Sequence, residues 1–150
     1  MFNRKFNLIS IILAGLLAII LSGCGATVAG PQIVQHDAWG RPSPKMAGTG
    51  AVYVVIENKG GQADRLIGAT SQAAAKVEVH ESYMDGDVMK MRPIPAVDVP
   101  VGGTLELKPG SYHIMLIDLV KPLESGSHIA VTLKFEKSGD VPLDVEIREE

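Results

Sequence analysis

Two short stretches of the chain pair an imidazole with a thioether. One is SYHIMLIDL, Ser111 to Leu119, where His113 and Met115 lie two residues apart. The other is HESYMDGDVMKM, with His80 at its start and Met91 at its end. Taken singly, such residues are usually surface histidines and packing methionines. Taken together, two imidazoles and two thioethers form a selective donor set. Thioether sulfur is soft and suits Cu(I), while imidazole accepts several transition metals. A thioether needs no deprotonation and forms no disulfide, so it holds Cu(I) where a Cys pair is at risk of oxidation. Zinc prefers thiolate, imidazole and carboxylate. A blue-copper electron-transfer centre needs a Cys thiolate, and the only cysteine, Cys24, falls before the expected folded domain.

The elements that must position these side chains are strands. In a strand, side chains alternate with period two, so His113 and Met115 share a face while Ile114 and Leu116 point to the other. Asp85-Gly86 is a strong two-residue hairpin signal of type I′, which needs positive φ at both central positions. With those two residues as the loop, paired positions sum to 171. Met84 then faces Asp87, Ser82 faces Met89, and His80 faces Met91. Directly opposed side chains have Cβ atoms about 4.5–5.5 Å apart, so this turn predicts His80 and Met91 as neighbours on one face.

The rest of the chain reads as further short strands. Ala51 to Asn58 is β-branched and apolar on both faces, as a central strand would be. His128 to Glu136 and Val141 to Arg148 alternate apolar and polar residues. Gly102-Gly103, Pro109-Gly110 and Ser125-Gly126 punctuate the runs. Ala69 to Lys76 has helical composition but is too short to stand as a helix. The pattern predicts an all-β antiparallel sandwich or barrel.

Of the 150 residues, about the first 23 form a leader. Arg4 and Lys5 precede an apolar run from Leu8 to Leu21, which is shorter than the ~20 residues of a spanning helix and fits a secretory signal. It ends in Leu21-Ser22-Gly23-Cys24, which resembles a bacterial lipobox, so Cys24 is the expected lipidation site. The alternative is an uncleaved N-terminal anchor; either way the domain is extracytoplasmic, in the periplasm or at the cell surface, and membrane-tethered. Residues 24–32 read as the lipidated Cys and a flexible tether, and residues 33–150 as the folded domain. Losing Arg4 and Lys5 takes the net charge from −3 to −3 − 2 = −5. No cluster of Lys and Arg marks a nucleic-acid footprint. No nucleophile and base stand at recognisable spacing, so the domain is not expected to be an enzyme.

The spacing of the four donors is H-x10-M-x21-H-x-M. It is similar to the motif of the PCuAC family of bacterial copper chaperones, and the surroundings also resemble that family: DAWGRP at Asp37 to Pro42, Asp64-Arg65-Leu66, VEVHE before the hairpin, VMKMRP after it and LKPGSYHIML around the second pair. The resemblance covers roughly Gln35 to Phe135. It implies a cupredoxin-like Greek-key fold and a Cu(I) site made by His80, Met91, His113 and Met115. It implies a metallochaperone that supplies the CuA site of cytochrome c oxidase, with subunit II of the oxidase or a Sco-type thiol protein as acceptor or co-chaperone. Copper sequestration for resistance, without a dedicated acceptor, is the rival function, and a β-sandwich interaction domain in which the His/Met pairs only pack is the third. Some family members carry a His- and Met-rich C-terminal tail for Cu(II); VPLDVEIREE has neither residue, so no such second site is expected.

The remaining candidates have plainer readings. Met89 reads as packing against the site, with a substitute ligand as the alternative. Met84 reads as exposed near the turn. Met46 reads as exposed in a Pro/Gly-rich loop, with an auxiliary copper role as the alternative. His36 and His128 have no Met or Cys partner at ligand spacing and read as surface residues. Trp39 and Tyr53 read as core or core-edge groups. Asp118 and Glu81 are near the ligands in sequence and read as solvated carboxylates rather than partners of an imidazole. Both imidazoles must be neutral to bind metal, so affinity is expected to fall as pH drops through about 6.5.

Overall fold

The computed structural model describes residues 30–44 and 48–150. The expected leader, Cys24, most of the tether and Met46 lie outside the described residues. Among the described residues ten strands follow one another: β1 (Ile33–Gly40), β2 (Thr49–Asn58), β3 (Asp64–Ser71), β4 (Ala74–Asp85), β5 (Val88–Pro93), β6 (Val97–Val99), β7 (Thr104–Leu107), β8 (Tyr112–Leu119), β9 (His128–Phe135) and β10 (Gly139–Ile147). There is no helix among the described residues. Ala69 to Lys76 is instead the end of β3, a tight turn and the start of β4, with the Ser71 hydroxyl accepting from the Ala73 amide at 3.1 Å.

The strands form one sheet in the order β5-β4-β8-β2-β1-β10-β9-β3-β6, with β7 also paired to β2. The sheet does not close, and β5 and β6 are its free edges. All pairs are antiparallel except β1 and β10, which run parallel through Trp39 opposite Glu146 and Gly40 opposite Ile147. One core lies inside the wrapped sheet. Period-two alternation fills it: Val52, Val54 and Ile56 from β2, Ile114 and Leu116 from β8, Val131, Leu133 and Phe135 from β9, and Leu143, Val145 and Ile147 from β10. Burying each such side chain contributes roughly 1.5–3 kcal/mol, and this carries a domain without any disulfide.

The ordered domain begins before Ile33. Gly30 to Gln32, read from composition as tether, is hydrogen-bonded to the end of β2. The Gln32 carbonyl accepts from the Lys59 amide at 2.8 Å, and the Gly30 carbonyl from the Gly61 amide at 3.0 Å. Buried Asn58 organises this corner, its Oδ1 accepting from the Gln32 and Gly60 amides at 3.1 and 3.0 Å.

For the site, the relevant strands are β5, β4, β8 and β2. Ile114, Leu116 and Val79 face the core. His113, Met115 and His80 therefore lie on the other face of the sheet, away from that core.

Candidate metal centre

The hairpin that carries His80 and Met91 turns one residue later than the Asp-Gly signal predicts. Asp85 stays in the strand and pairs with Val88, leaving Gly86-Asp87 as the loop. Gly86 has φ +62°, and Asp37 and Asp118 are the only non-glycine residues with positive φ among those described. Positive φ at the first central position alone is the type II′ pattern. It places the one residue that tolerates this region where it is needed and spares Asp85 from it. Paired positions now sum to 173: Met84 faces Met89, Ser82 faces Met91, and His80 faces Pro93. The expected direct opposition of His80 and Met91 is thus corrected to a diagonal one. Moving the loop by one residue slides the register by two, and a slide of two keeps every side chain on its face. His80 and Met91 still share theirs.

The second pairing joins the two halves. On β4 and β8, His80 lies opposite His113 and Glu78 opposite Met115. The imidazole centroids are 5.8 Å apart. Across β2, Ala51 lies opposite Met115, and the Tyr53 ring is 6.4 Å from His113. Tyr53 in turn stacks at 4.6 Å on Trp39, whose outer side meets the Arg148 guanidinium at 5.2 Å. Trp39 and Tyr53 are buried, but as the wall beside the imidazoles rather than within the main core.

Each imidazole has one nitrogen engaged and one left bare. His113 Nδ1 lies 3.2 Å from the Ser111 carbonyl. A carbonyl only accepts, so Nδ1 carries the proton and Nε2 holds the lone pair. His80 Nε2 lies 3.0 Å from a Glu78 carboxylate oxygen. Nε2 is the donor there, which leaves the lone pair on Nδ1. His80 Nδ1 and His113 Nε2 are the two buried side-chain polar atoms without a hydrogen-bond partner among the described residues. An unsatisfied buried acceptor costs about 1–3 kcal/mol, and no contact among the described residues offsets that cost at these two adjacent rings.

Local sequence explains both supports. Pro109-Gly110, with φ +76° at Gly110, makes the turn between β7 and β8, and the Ser111 amide donates to the Lys108 carbonyl at 3.1 Å. Proline at the second and glycine at the third position is the type II signature. The Ser111 carbonyl so placed accepts from both the Ser82 amide, at 3.1 Å, and His113. It ties the β4–β5 hairpin and the His113 ring to one group. Glu78 is two residues before His80 and so shares its face. It also binds Lys76 at 2.7 Å. The His80 hydrogen bond, with Lys76 second, holds its carboxyl below the usual carboxylate range.

The four predicted donors come together unequally. His113 is 3% exposed and the His80 side chain 12%, while Met91 is 56% exposed. His113, Met115 and Met91 line a cavity of ≈ 370 Å³, along with Met89, Ser82, Pro109, Gly110 and the segment from Arg41 to Pro44. His80 stands behind it, against the His113 ring. Burial pushes the His113 imidazole below its ordinary value, and its Ser111 hydrogen bond only partly opposes this. Among the described residues no three of His, Cys, Asp and Glu converge as a metal would require. The soft donors that line the cavity with His113 are the thioethers of Met89, Met91 and Met115.

The other candidates are settled by their contacts. Glu81 pairs with Arg92 at 2.8 Å, and Asp118 is exposed with φ +56°. Neither touches His80 or His113. The carboxylate that touches His80 is Glu78, which alternation along VEVHE was enough to indicate. His36 is exposed between Asp37 and Glu57, and His128 pairs with Asp144 at 2.9 Å. Met84 is exposed, as expected, and Met89 is as exposed as Met91, so it is not buried packing.

Comparison with known proteins gives a consistent family. The model of the family described as "Putative lipoprotein LpqE-like" matches residues 33–147. "Putative lipoprotein Lxx21020" of Leifsonia xyli subsp. xyli is 36% identical over 108 residues, 70% of this chain and 65% of the relative. "Uncharacterized protein RP573" of Rickettsia prowazekii is 28% identical over 116 residues, 73% of this chain and 62% of the relative. The chain thus spans less than two thirds of the curated relatives it matches. Among solved structures, "Apo PCuAC domain from PmoF1" superposes with a TM-score of 0.68 at 24% identity, covering 81% of this chain and 97% of that one. "Solution structure of CuI-DR1885 from Deinococcus Radiodurans" gives 0.63 at 26% identity, covering 87% of each. The all-β fold is therefore the cupredoxin-like fold of PCuAC domains, and with the family pattern running from β1 to the last residue of β10, the chain belongs to the LpqE-like family.

Proposed function

We propose that this domain carries Cu(I) outside the cytoplasm and performs no catalysis. The observation that supports it best is the pair of bare, buried imidazole nitrogens, His80 Nδ1 and His113 Nε2, on the same sheet face as two thioethers. His80, His113, Met115 and Met91 are the ligands. Glu78 and the Ser111 carbonyl fix the two tautomers, as partners behind metal-bound histidines commonly do. Two solved relatives support the metal: the structure titled CuI-DR1885 and "Copper-bound PCuAC domain from PmoF2". The thioethers support the monovalent state, because soft donors favour it.

The site is graded from inside to outside. Its imidazoles are buried, and Met91 is more than half exposed on the edge strand. An acceptor replaces Met91 first and reaches the imidazoles last, so one ligand is exchanged at a time. Lipidation at Cys24 keeps the carrier at a membrane and raises its effective concentration near membrane targets. Lipoprotein names within the family support that anchor. The acceptor in this reading is the CuA site of cytochrome c oxidase, directly or with a Sco-type protein.

The experiment is anaerobic transfer from the Cu(I)-loaded protein to an apo CuA domain. This reading expects loading faster than the same copper delivered from a small chelate of equal affinity. Equal rates favour sequestration. No Cu(I) binding at all would leave the His/Met pairs as packing.

A further inference from the structure

Three of the six methionines, Met84, Met89 and Met91, are exposed on one face of one hairpin, at 58%, 59% and 56%. Only Met91 belongs to the donor set described above. Met84 and Met89 lie directly opposite each other across β4 and β5. Opposed Cβ atoms stand about 4.5–5.5 Å apart, a span that two flexible thioether side chains bridge through a single ion. Met89 and Met91 are two residues apart on β5 and share a face. Met89 also lines the same cavity as Met91, Met115 and His113. Sulfur therefore runs stepwise from the hairpin tip to the buried imidazoles.

The hairpin sorts its charges away from that face. Its other side holds Glu81, Tyr83 and Asp85 opposite Arg92, Lys90 and Val88. Arg92 pairs with Glu81 and lies 5.0 Å over the Tyr83 ring, and Lys90 pairs with Asp85. Both cations of β5 are thus held on the side away from the methionines. Met84 and Met89 are each more than half exposed, and exposed apolar groups cost solubility, so core packing does not account for them.

We infer that Met84 and Met89 form a second, weaker soft-metal site at the hairpin tip, through which Cu(I) enters and leaves the main site by way of Met91. Two soft neutral donors suit a monovalent d10 ion and release it readily. Each step exchanges one metal–sulfur bond for another, with no electron or proton moved. The inference rests on the copper-carrier reading for the identity of the metal and goes beyond it in naming the route.

The test uses the full chain in detergent, labelled with ¹³C at the methionine methyls and titrated with Cu(I) without oxygen. The first equivalent is expected to move the Met91 and Met115 signals, and the second those of Met84 and Met89. Release to bathocuproine disulfonate is then timed for the wild type and for Met84→Leu, which removes one of the two donors of the tip site without touching the cavity of the main one. Leucine conserves volume at this exposed position, so folding is preserved. The variant is expected to hold the first equivalent with unchanged affinity and to release it about threefold more slowly or worse. Unchanged release with unchanged first-equivalent affinity overturns the inference. Signals that move at Met84 and Met89 but never at Met115 would sink the main site while sparing this one.

Discussion

His80 and His113 face each other across β4 and β8 with ring centroids 5.8 Å apart, and each ring is tied down through one nitrogen and bare at the other. The ties have different sources. One is a carboxylate on the same strand as its histidine, and the other is a carbonyl delivered by a Pro-Gly turn. This asymmetry makes the supporting residues separable by experiment.

Glu78→Ala removes the acceptor that fixes the His80 tautomer. Cu(I) affinity, measured by competition with a colorimetric chelator, is expected to fall about 10- to 100-fold, as for other losses behind a metal-bound histidine. Glu81→Ala serves as the control. Glu81 is paired with Arg92 and touches no imidazole, so its loss should leave affinity unchanged.

Met91→Leu and Met115→Leu separate ligation from packing. Met91 is more than half exposed, so its replacement should alter unfolding free energy by no more than about 0.5 kcal/mol. Met115 is partly buried, and a volume-conserving change there should cost less than about 1.5 kcal/mol. Both should weaken Cu(I) binding strongly. Urea unfolding of the metal-free protein beside chelator competition decides it: unchanged binding in both variants would return the methionines to a packing role.

Burial lowers the His113 pKa, which gives the metal-free protein a pH signature. Below about 6.5 the unfolded chain takes up the proton that folded His113 refuses. The unfolded state then binds more protons, so stability rises with pH across that window and falls as pH drops beneath about 6.5. Urea midpoints at pH 7.5 and 5.5 should show this loss, and His113→Gln should reduce it. Copper binding follows the same shift. The affinity loss expected near an ordinary histidine pKa should extend lower for the His113 contribution, because the buried ring stays neutral longer.

Asp64, at the start of β3, ties that strand to the turn between β9 and β10, strands that contribute none of the candidate ligands. It is 1% exposed and accepts from the amides of Arg65, Lys137 and Ser138 at 2.8, 2.9 and 2.9 Å, and from the Ser138 hydroxyl at 2.5 Å. Burial alone would raise its pKa, but these hydrogen bonds outweigh it and hold the carboxyl below its ordinary value. Its stabilisation is present above the ordinary carboxylate pKa of about 3.9 and is lost as pH falls below it. Asp64→Ala leaves several donors unpaired and should cost about 3 kcal/mol or more. Cu(I) affinity of the folded fraction should not change, and a loss there would show coupling between this corner and the candidate site.

Alternation made much of this legible in the sequence. Period two put His113 and Met115 on one face and Ile114 and Leu116 on the other, and the core residues of β9 and β10 followed the same rule. The hairpin was legible to within one residue, because Asp-Gly and Gly-Asp are both acceptable loops and only backbone strain at Asp85 separates them. The face survived that error because the register moved by two. Glu78 was within reach of the same rule. Ser111 was not, since a carbonyl carries no residue signature. Nor was the docking of Gly30 to Gln32, which depends on Asn58 at a distance of 26 residues.

Metal binding at the two bare nitrogens is read directly by imidazole ¹⁵N shifts. Long-range ¹H–¹⁵N spectra of the protein, before and after one equivalent of Cu(I), assign the coordinated nitrogen of each ring. Coordination is expected through Nδ1 of His80 and Nε2 of His113, with the Glu78 and Ser111 hydrogen bonds retained. Coordination through the opposite nitrogen of either ring, or imidazole signals unmoved by copper, would contradict it.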